Sequence, residues 1–288
     1  MSPAQTGSAA EVAAQAKRKL ILDAQAAKQA EAASIRYRIQ GGATLKGDVV
    51  ISGSKNAALP LLAGSILCKE GEMTYTNVPR LRDIEVLLKI LQYLGAETSF
   101  VENTVKIRTD KLESKPLPRE LVSMLRASIV LLGPMLVRFG EVEMAYPGGD
   151  VIGKRPVHAH ISAFQQMGAG DLSTNEYLKL RGTLRPGHLI LPEFSVTATE
   201  NALLAAAMLP GETRIDLAAG EPHVQDCAKL VRAMGAEVEG AGSHTLVVRG
   251  RPDLQACSHA VTPDYLEAGS FVMAALCTHG KVRLHNLD

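Results

Sequence analysis

Tryptophan is absent from this 288-residue chain, and with five Phe and six Tyr there is little aromatic surface on which nucleic-acid bases could stack. The four cysteines, Cys68, Cys227, Cys257 and Cys277, stand far apart with no C-x-x-C pair. That excludes the usual spacing of a zinc site or disulfide framework and fits reduced thiols in a cytoplasm. No apolar run reaches the roughly 18 residues of a membrane span, and the N-terminus lacks a signal peptide's hydrophobic centre, so neither membrane insertion nor export is expected. A formal charge of +1 lacks the excess of one sign that a general polyanion surface carries. No nucleic-acid partner is expected, while a local basic pocket remains open.

What is present is a chain with 46% hydrophobic residues, enough to bury the cores of one or two domains. Residues 1–34 are rich in Ala, Gln and Lys with one apolar cluster, Leu20-Ile-Leu22, and read as a marginal helix or poorly ordered extension. From Ile35 the pattern turns to short strands: Arg36-Tyr-Arg-Ile39, a Gly41-Gly42 turn, then Gly47 to Ser52.

One loop concentrates chemistry. Tyr146-Pro-Gly-Gly-Asp-Val-Ile-Gly-Lys-Arg-Pro156 joins the strand-like Glu141–Ala145 to a helix expected over Val157–Met167. Gly148, Gly149 and Gly153 let the backbone turn and present N–H groups to an anion, Lys154 and Arg155 add positive charge, and Asp150 sits among them. Gly148, Gly153 and Lys154 fit the phosphate-binding loop G-x-x-x-x-G-K, but Arg155 stands where a Ser or Thr hydroxyl would ligate magnesium. A tight strand-to-helix turn with solvated charges explains the loop equally well.

An internal repeat organises the rest. Glycine-led strands begin at Gly71, Gly140, Gly211 and Gly280, spaced by 69, 71 and 69 residues. Each complete unit holds an Ala/Leu-rich helix, such a strand, a second amphipathic helix closed by Leu94-Gly-Ala96, Met167-Gly-Ala169 or Met234-Gly-Ala236, and a final strand. Three units are whole and a fourth is partial, which implies an α/β fold built of units of about 70 residues. The first helices, Ala57–Leu67, Ala127–Leu136, Asn201–Met208 and Ala268–Leu276, are almost free of charge, as helices buried on all sides should be. Their polar residues gather at the N-termini: Lys55 and Asn56, Arg126, Thr199 to Asn201, and Glu267. Helix starts attract anions, so cations there suit phosphate or carboxylate ligands if the helices converge. Ordinary capping is the alternative for Asn and Thr; Lys and Arg are poor caps.

With these motifs on view, the chain resembles the UDP-N-acetylglucosamine enolpyruvyltransferase family. Ile51-Ser-Gly-Ser-Lys-Asn-Ala-Ala-Leu-Pro60, Leu125-Arg-Ala-Ser128, Pro147 to Pro156 and Thr262-Pro-Asp-Tyr-Leu-Glu267 match its signature segments in order from about Ile35 to Asp288. The resemblance implies an inside-out α/β barrel of two domains with three repeats each. Residues 54–262 would form the three-repeat domain carrying the loop, 35–53 the first strands of the terminal domain, and 263–288 the start of its return. It implies transfer of the enolpyruvyl group of phosphoenolpyruvate to the 3′-hydroxyl of UDP-N-acetylglucosamine with release of phosphate. That is the first committed step of peptidoglycan synthesis, hence of cell-wall biogenesis, cell shape and division. No metal or organic cofactor is expected.

Carried over by position, Lys55 would contact phosphoenolpyruvate and stabilise developing charge, with Asn56 beside it. Arg126 and Arg155 would hold phosphate or carboxylate groups in a guanidinium fork. The backbone of Arg155, Pro156, Val157, His158 and Ala159 would bind the uridine part, and Ser195, Val196 and Thr197 would face the diphosphate. Asp150 takes the place of the cysteine that most members use as general acid. A carboxylate ordinarily loses its proton near a pH of about 3.9, so activity at a lower pH than for a cysteine enzyme is expected. Resistance to fosfomycin, the epoxide that alkylates that cysteine, is also expected. Glu193 stands where some members have a lysine, so its contact with the diphosphate is not expected here. The resembled family runs to six repeats, and its aspartate base falls outside the matched segment; Asp264 and Glu267 match a hinge instead. Two alternatives stand beside the enzyme: a catalytically incompetent fragment or UDP-sugar-binding homologue, and 5-enolpyruvylshikimate-3-phosphate synthase. Asn56, Leu125–Ser128 and Thr262–Asp264 argue against the last.

Overall fold

Three nearly uncharged helices are the innermost elements of the computed structural model, which describes residues 36, 38–148 and 156–287. These described residues fall in two units, one ending at Thr44 and one starting at Leu45. In the first, Arg36 and residues 38–44 carry neither helix nor strand, so the strand expected over Arg36–Ile39 is not formed. Its alternation is too short to bury a face, and Ile39 is 87% exposed.

In the second unit, strand β1 (Lys46–Val50) leads into helix α1 (Lys55–Gly64), whose residues 57–64 are all buried. A 3-10 helix (Ser65–Leu67), β2 (Glu72–Thr76), α2 (Arg82–Leu94), β3 (Glu97–Val101) and β4 (Thr104–Arg108) follow. After the short α3 (Arg119–Val122) come a 3-10 run (Arg126–Leu131), α4 (Leu132–Phe139), β5 (Glu141–Ala145), α5 (His158–Gln166), β6 (Gly170–Asp171) and β7 (Tyr177–Arg181). Next are β8 (His188–Ile190), α6 (Val196–Met208), β9 (Gly211–Asp216), α7 (Pro222–Ala233), β10 (Glu237–Glu239) and β11 (Thr245–Gly250). Strand β12 (Ser258–Ala260), α8 (Tyr265–Cys277) and β13 (Lys281–His285) complete the order. The helix expected as one piece over Ala127–Leu136 is split, because Pro134 has no N–H to return to the preceding turn and the 3-10 run ends just before Gly133-Pro134.

Helices α1, α4 with its 3-10 run, and α6 pack on one another, and small residues set how closely. A Cβ added to Gly133 would lie 2.3 Å from the Asn201 carbonyl oxygen, so α4 and α6 meet backbone to backbone only because Gly133 has no side chain. Around them lie the amphipathic α2, α5 and α7 and three sheets ordered β12-β2-β4-β3, β5-β7-β6 and β10-β11-β9-β8. Each sheet turns alternate residues inward. In β2 these are Met73 and Tyr75, in β5 Val142 and Met144, in β9 Thr213 and Ile215. The glycine stops fall where the sequence reading puts them: Gly95, Gly168 and Gly235 all take positive φ after α2, α5 and α7.

The fourth inner helix does not follow. In α8 only Ala268 is buried, while Leu266, Val272, Met273 and Leu276 are exposed. Of the described elements α8 packs chiefly on β13, which pairs in parallel with β1 in a separate two-stranded sheet. Its apolar composition therefore reports a capacity for burial that no described neighbour fulfils.

Candidate active site at the ends of the buried helices

Among the described residues expected to hold anions, Lys55 opens α1, Arg126 opens the 3-10 run and Ser195–Thr197 open α6. At α1, Ser54 caps the helix by accepting from the Ala57 N–H, and the Lys55 ammonium lies 3.1 Å from the Asp83 carboxylate at the start of α2. Asn56 is exposed beside it. The partnership with Asp83 holds Lys55 at the mouth of α1, where a stronger anion would compete for it.

The second group is tied together directly. Arg126 opens the 3-10 run and donates from Nη2 to the Pro156 carbonyl at 3.4 Å, joining that run to the segment Pro156, Val157, His158, Ala159 that starts α5. Ser195 caps α6 through the Ala198 N–H, leaving the N–H groups of Val196 and Thr197 at the helix mouth. Between α5 and α6 stands His160, a residue the sequence reading passed over. Its Nδ1 is 3.0 Å from Asn201 Nδ2 and its Nε2 is 3.1 Å from Thr197 Oγ1.

The hydrogen bonds assign the roles in this network. Asn201 Oδ1 accepts from the Gly133 N–H at 2.7 Å, so the amide nitrogen is the end that faces the ring, and it also donates to the Ile129 carbonyl at 2.9 Å. An NH2 group facing Nδ1 makes Nδ1 the acceptor. The ring proton then sits on Nε2 and is donated to Thr197 Oγ1, which leaves the threonine hydroxyl hydrogen to donate outward. Burial, reinforced by the charge of Arg126 and by His158, pushes the His160 pKa down to about 3, so the ring is neutral. His160 and Asn201 together lock the 3-10 run, α4, α5 and α6 into one arrangement. The signal for His160 was available in the sequence: positions 160, 163, 164 and 167 share one face of α5, and all are buried.

One turn into α6, Glu200 is buried and its Oε1 has no partner among the described residues; the buried Oε2 of Glu221 likewise has none. Burial first, and Glu221 second, raise the Glu200 pKa well above the ordinary carboxylate range, which favours its neutral, protonated form. Asp264 caps α8 by accepting from the N–H groups of Leu266 and Glu267, and Glu267 accepts from the Ser52 N–H at 2.8 Å. Both are engaged at the crossing between β1 and α1.

Asp150 and Arg155 lie outside the described residues. Among the described residues no set of three His, Cys, Asp or Glu is placed to hold a metal ion, none of the four cysteines is in a disulfide, and no helix is long and apolar enough to cross a membrane.

A profile described as EPSP synthase (3-phosphoshikimate 1-carboxyvinyltransferase) matches residues 39–288. The chain belongs to this family. Among curated relatives, UDP-N-acetylglucosamine 1-carboxyvinyltransferase of Shewanella piezotolerans is 45% identical over 88% of this chain and 61% of its own length. The protein of the same name from Psychromonas ingrahamii is 44% identical over 86% of the chain and 59% of its own length. The chain thus spans about 61% of the length of the first of these relatives. Among solved structures, the enolpyruvyl transferase NikO from Streptomyces tendae superposes with a TM-score of 0.71 at 23% identity, covering 81% of this chain and 56% of that one. EPSP synthase from Acinetobacter baumannii gives a TM-score of 0.66 at 20% identity, covering 86% and 57%. The fold is that of the enolpyruvyl transferases, the inside-out α/β arrangement expected from the resemblance.

Proposed function

We propose that the chain is the loop-bearing part of an enzyme that transfers the enolpyruvyl group of phosphoenolpyruvate to the 3′-hydroxyl of UDP-N-acetylglucosamine, releasing phosphate in cytoplasmic peptidoglycan synthesis. The observation that carries this reading is the 44–45% identity with relatives named UDP-N-acetylglucosamine 1-carboxyvinyltransferase, against 20% with an EPSP synthase structure.

In the chemistry proposed, the 3′-oxygen attacks C2 of phosphoenolpyruvate while a proton is added at C3. Loss of phosphate from C2 and of a proton from C3 then restores the double bond. Asp150 delivers the first proton. Lys55 leaves Asp83 to neutralise the charge that builds on phosphate and carboxylate, and Arg126 and Arg155 hold those groups from the sides. The N–H groups at the mouth of α6 and the outward hydroxyl hydrogen of Thr197 suit the diphosphate, with Ser195 beside them; Arg155 through Ala159 frame the uridine. Asp264 and Glu267 are committed to the crossing segments, so the base for the 3′-hydroxyl belongs to the further length that the relatives have. Residues 54–262 act as the loop-bearing domain, 35–53 and 263–288 belong to a second domain that covers α8, and 1–34 are an extension.

The test uses a chain carried to the length of its relatives. Phosphate release that requires both substrates supports the reading; release only with shikimate 3-phosphate in place of the UDP-sugar refutes it. In the same protein, fosfomycin should cause no irreversible loss of turnover, Asp150→Cys should restore sensitivity, and the pH optimum should rise with that substitution.

A further inference from the structure

The passage between the β1/β13 sheet and the buried helices is made by two segments, 51–54 and 261–264, which run side by side. The Ile51 N–H donates to the His285 carbonyl, Asp264 N–H to Ser52, Ser54 N–H to Thr262, and Val261 N–H to Thr76, all between 2.8 and 3.0 Å. Gly53 and Pro263 form an antiparallel bridge. Two asparagines grip this crossing from opposite sides. Asn77 follows β2 and Asn286 follows β13 at corresponding positions, with φ of 57° and 59°. Asn286 Nδ2 donates to the Ile51 carbonyl at 2.6 Å and to Asn77 Oδ1 at 3.3 Å; Asn77 Nδ2 donates to the Val261 carbonyl at 2.8 Å. The two side chains form one continuous relay that ends on one carbonyl of each segment.

The molecule contains its own control for the bland explanation, in which Asn is present only because it tolerates positive φ. Leu217 follows β9 at the corresponding place with φ of 58° and carries no amide. The backbone conformation therefore does not by itself demand asparagine. The amide appears at the two sites that face the crossing. Gly53 shows how tight the junction is, since a Cβ there would lie 1.7 Å from the Asn77 carbonyl oxygen. Asn77 and Asn286 also line an open cavity of about 540 Å³ together with Asn103, Lys229 and His259, so water can reach the relay and compete for it.

We propose that Asn77 and Asn286 form a clasp that holds the two crossing segments in register and thereby positions Ser54 and Lys55 at the mouth of α1. The clasp stands on its own geometry. Its consequence for substrate rests on the reading of Lys55 given above.

The test is hydrogen exchange on the 288-residue chain, comparing the wild type with Asn77→Asp, Asn286→Asp, Asn77→Gly and Asn286→Gly. Asp has the size and the tolerance of positive φ but no donor; Gly takes positive φ freely. The expected result is about tenfold faster exchange at the Ser54 and Asp264 amides in every single variant, the loss of one hydrogen bond being of that order. The double variant should add little, because the relay is already broken. Unchanged exchange at both amides in the Asp and Gly variants overturns the clasp. So do additive effects each confined to one segment, or acceleration spread equally into the amides of α6, which signals general destabilisation. Titration of phosphoenolpyruvate into a chain carried to the length of its relatives, wild type against Lys55→Ala, tests the role of Lys55 separately, while exchange alone decides the clasp.

Discussion

Helices α6 and α8 are each 13 residues long and poor in charge, yet one is almost wholly enclosed and the other lies open. In α6 every residue from Ala198 to Met208 is buried; in α8 only Ala268 is. The difference lies in their neighbours. α6 meets α1, α4, α5 and α7, with glycine at the closest approach, whereas α8 chiefly meets β13. Composition states what a helix can bury, and the partner decides what it does bury.

That contrast can be broken most forcefully with the same substitution on both helices. Leu204→Ala removes a fully buried side chain that packs near Gly64 and should cost about 2–5 kcal/mol, while Leu276→Ala, at 67% exposure, should stay within about 0.5 kcal/mol. Urea denaturation of both variants measures the difference, and equal costs would mean that α8 is packed after all. Gly133→Ala should cost about 1–3 kcal/mol by the same measurement, since its Cβ meets the backbone of α6 and has no flexible side chain to push aside.

The buried groups around α6 predict a pH profile with two arms. Glu200 has a raised folded pKa: above its ordinary value near 4.5 the unfolded chain loses the proton that the native state keeps. Stability therefore falls as pH rises toward the folded value, by at most about 1.4 kcal/mol per pH unit. Glu200→Gln should remove this arm, so its advantage in thermal stability grows as pH rises above about 4.5; an advantage that is constant with pH would contradict the assignment. His160 has the opposite sign. Its pKa is depressed from about 6.5 to about 3, so stability falls as pH drops through that window, and a native state insensitive to pH between 6 and 4 would contradict its burial as a neutral ring. The smallest effect is on α8. Met273→Lys, at a position 61% exposed, should leave the free energy of unfolding within about 0.5 kcal/mol of wild type in urea denaturation.

The same two helices mark how far the sequence could be read. The inner helices and the glycine stops after α2, α5 and α7 were legible because they follow from periodicity, chirality and the absence of charge. The split of the second inner helix into a 3-10 run and α4 follows from the missing backbone donor of Pro134, which apolar content does not report. The exposure of α8 was illegible, because its composition is that of a buried helix. At the site, Lys55 and Arg126 stood out as basic residues at helix starts, whereas Ser195–Thr197 came only from the resemblance: the third inner helix was expected from Asn201 and in fact begins at Val196, which puts Thr199–Asn201 one turn inside it. His160 was hidden between His158 and Ile161 until the face it shares with Phe164 was considered. Asn201 was read only as part of a capping group, and its work of joining α4 to α5 depends on contacts 41 and 68 residues away in sequence.

The proposed function requires that the mouths of α5 and α6, and not the open face of α8, receive the UDP-sugar. Titrating UDP-N-acetylglucosamine into the 288-residue chain and following its amides tests this directly. Saturable shifts at 156–160 and 195–197, with α8 unmoved and shikimate 3-phosphate without effect, are the predicted result. No saturation, or shifts confined to α8, would contradict the account.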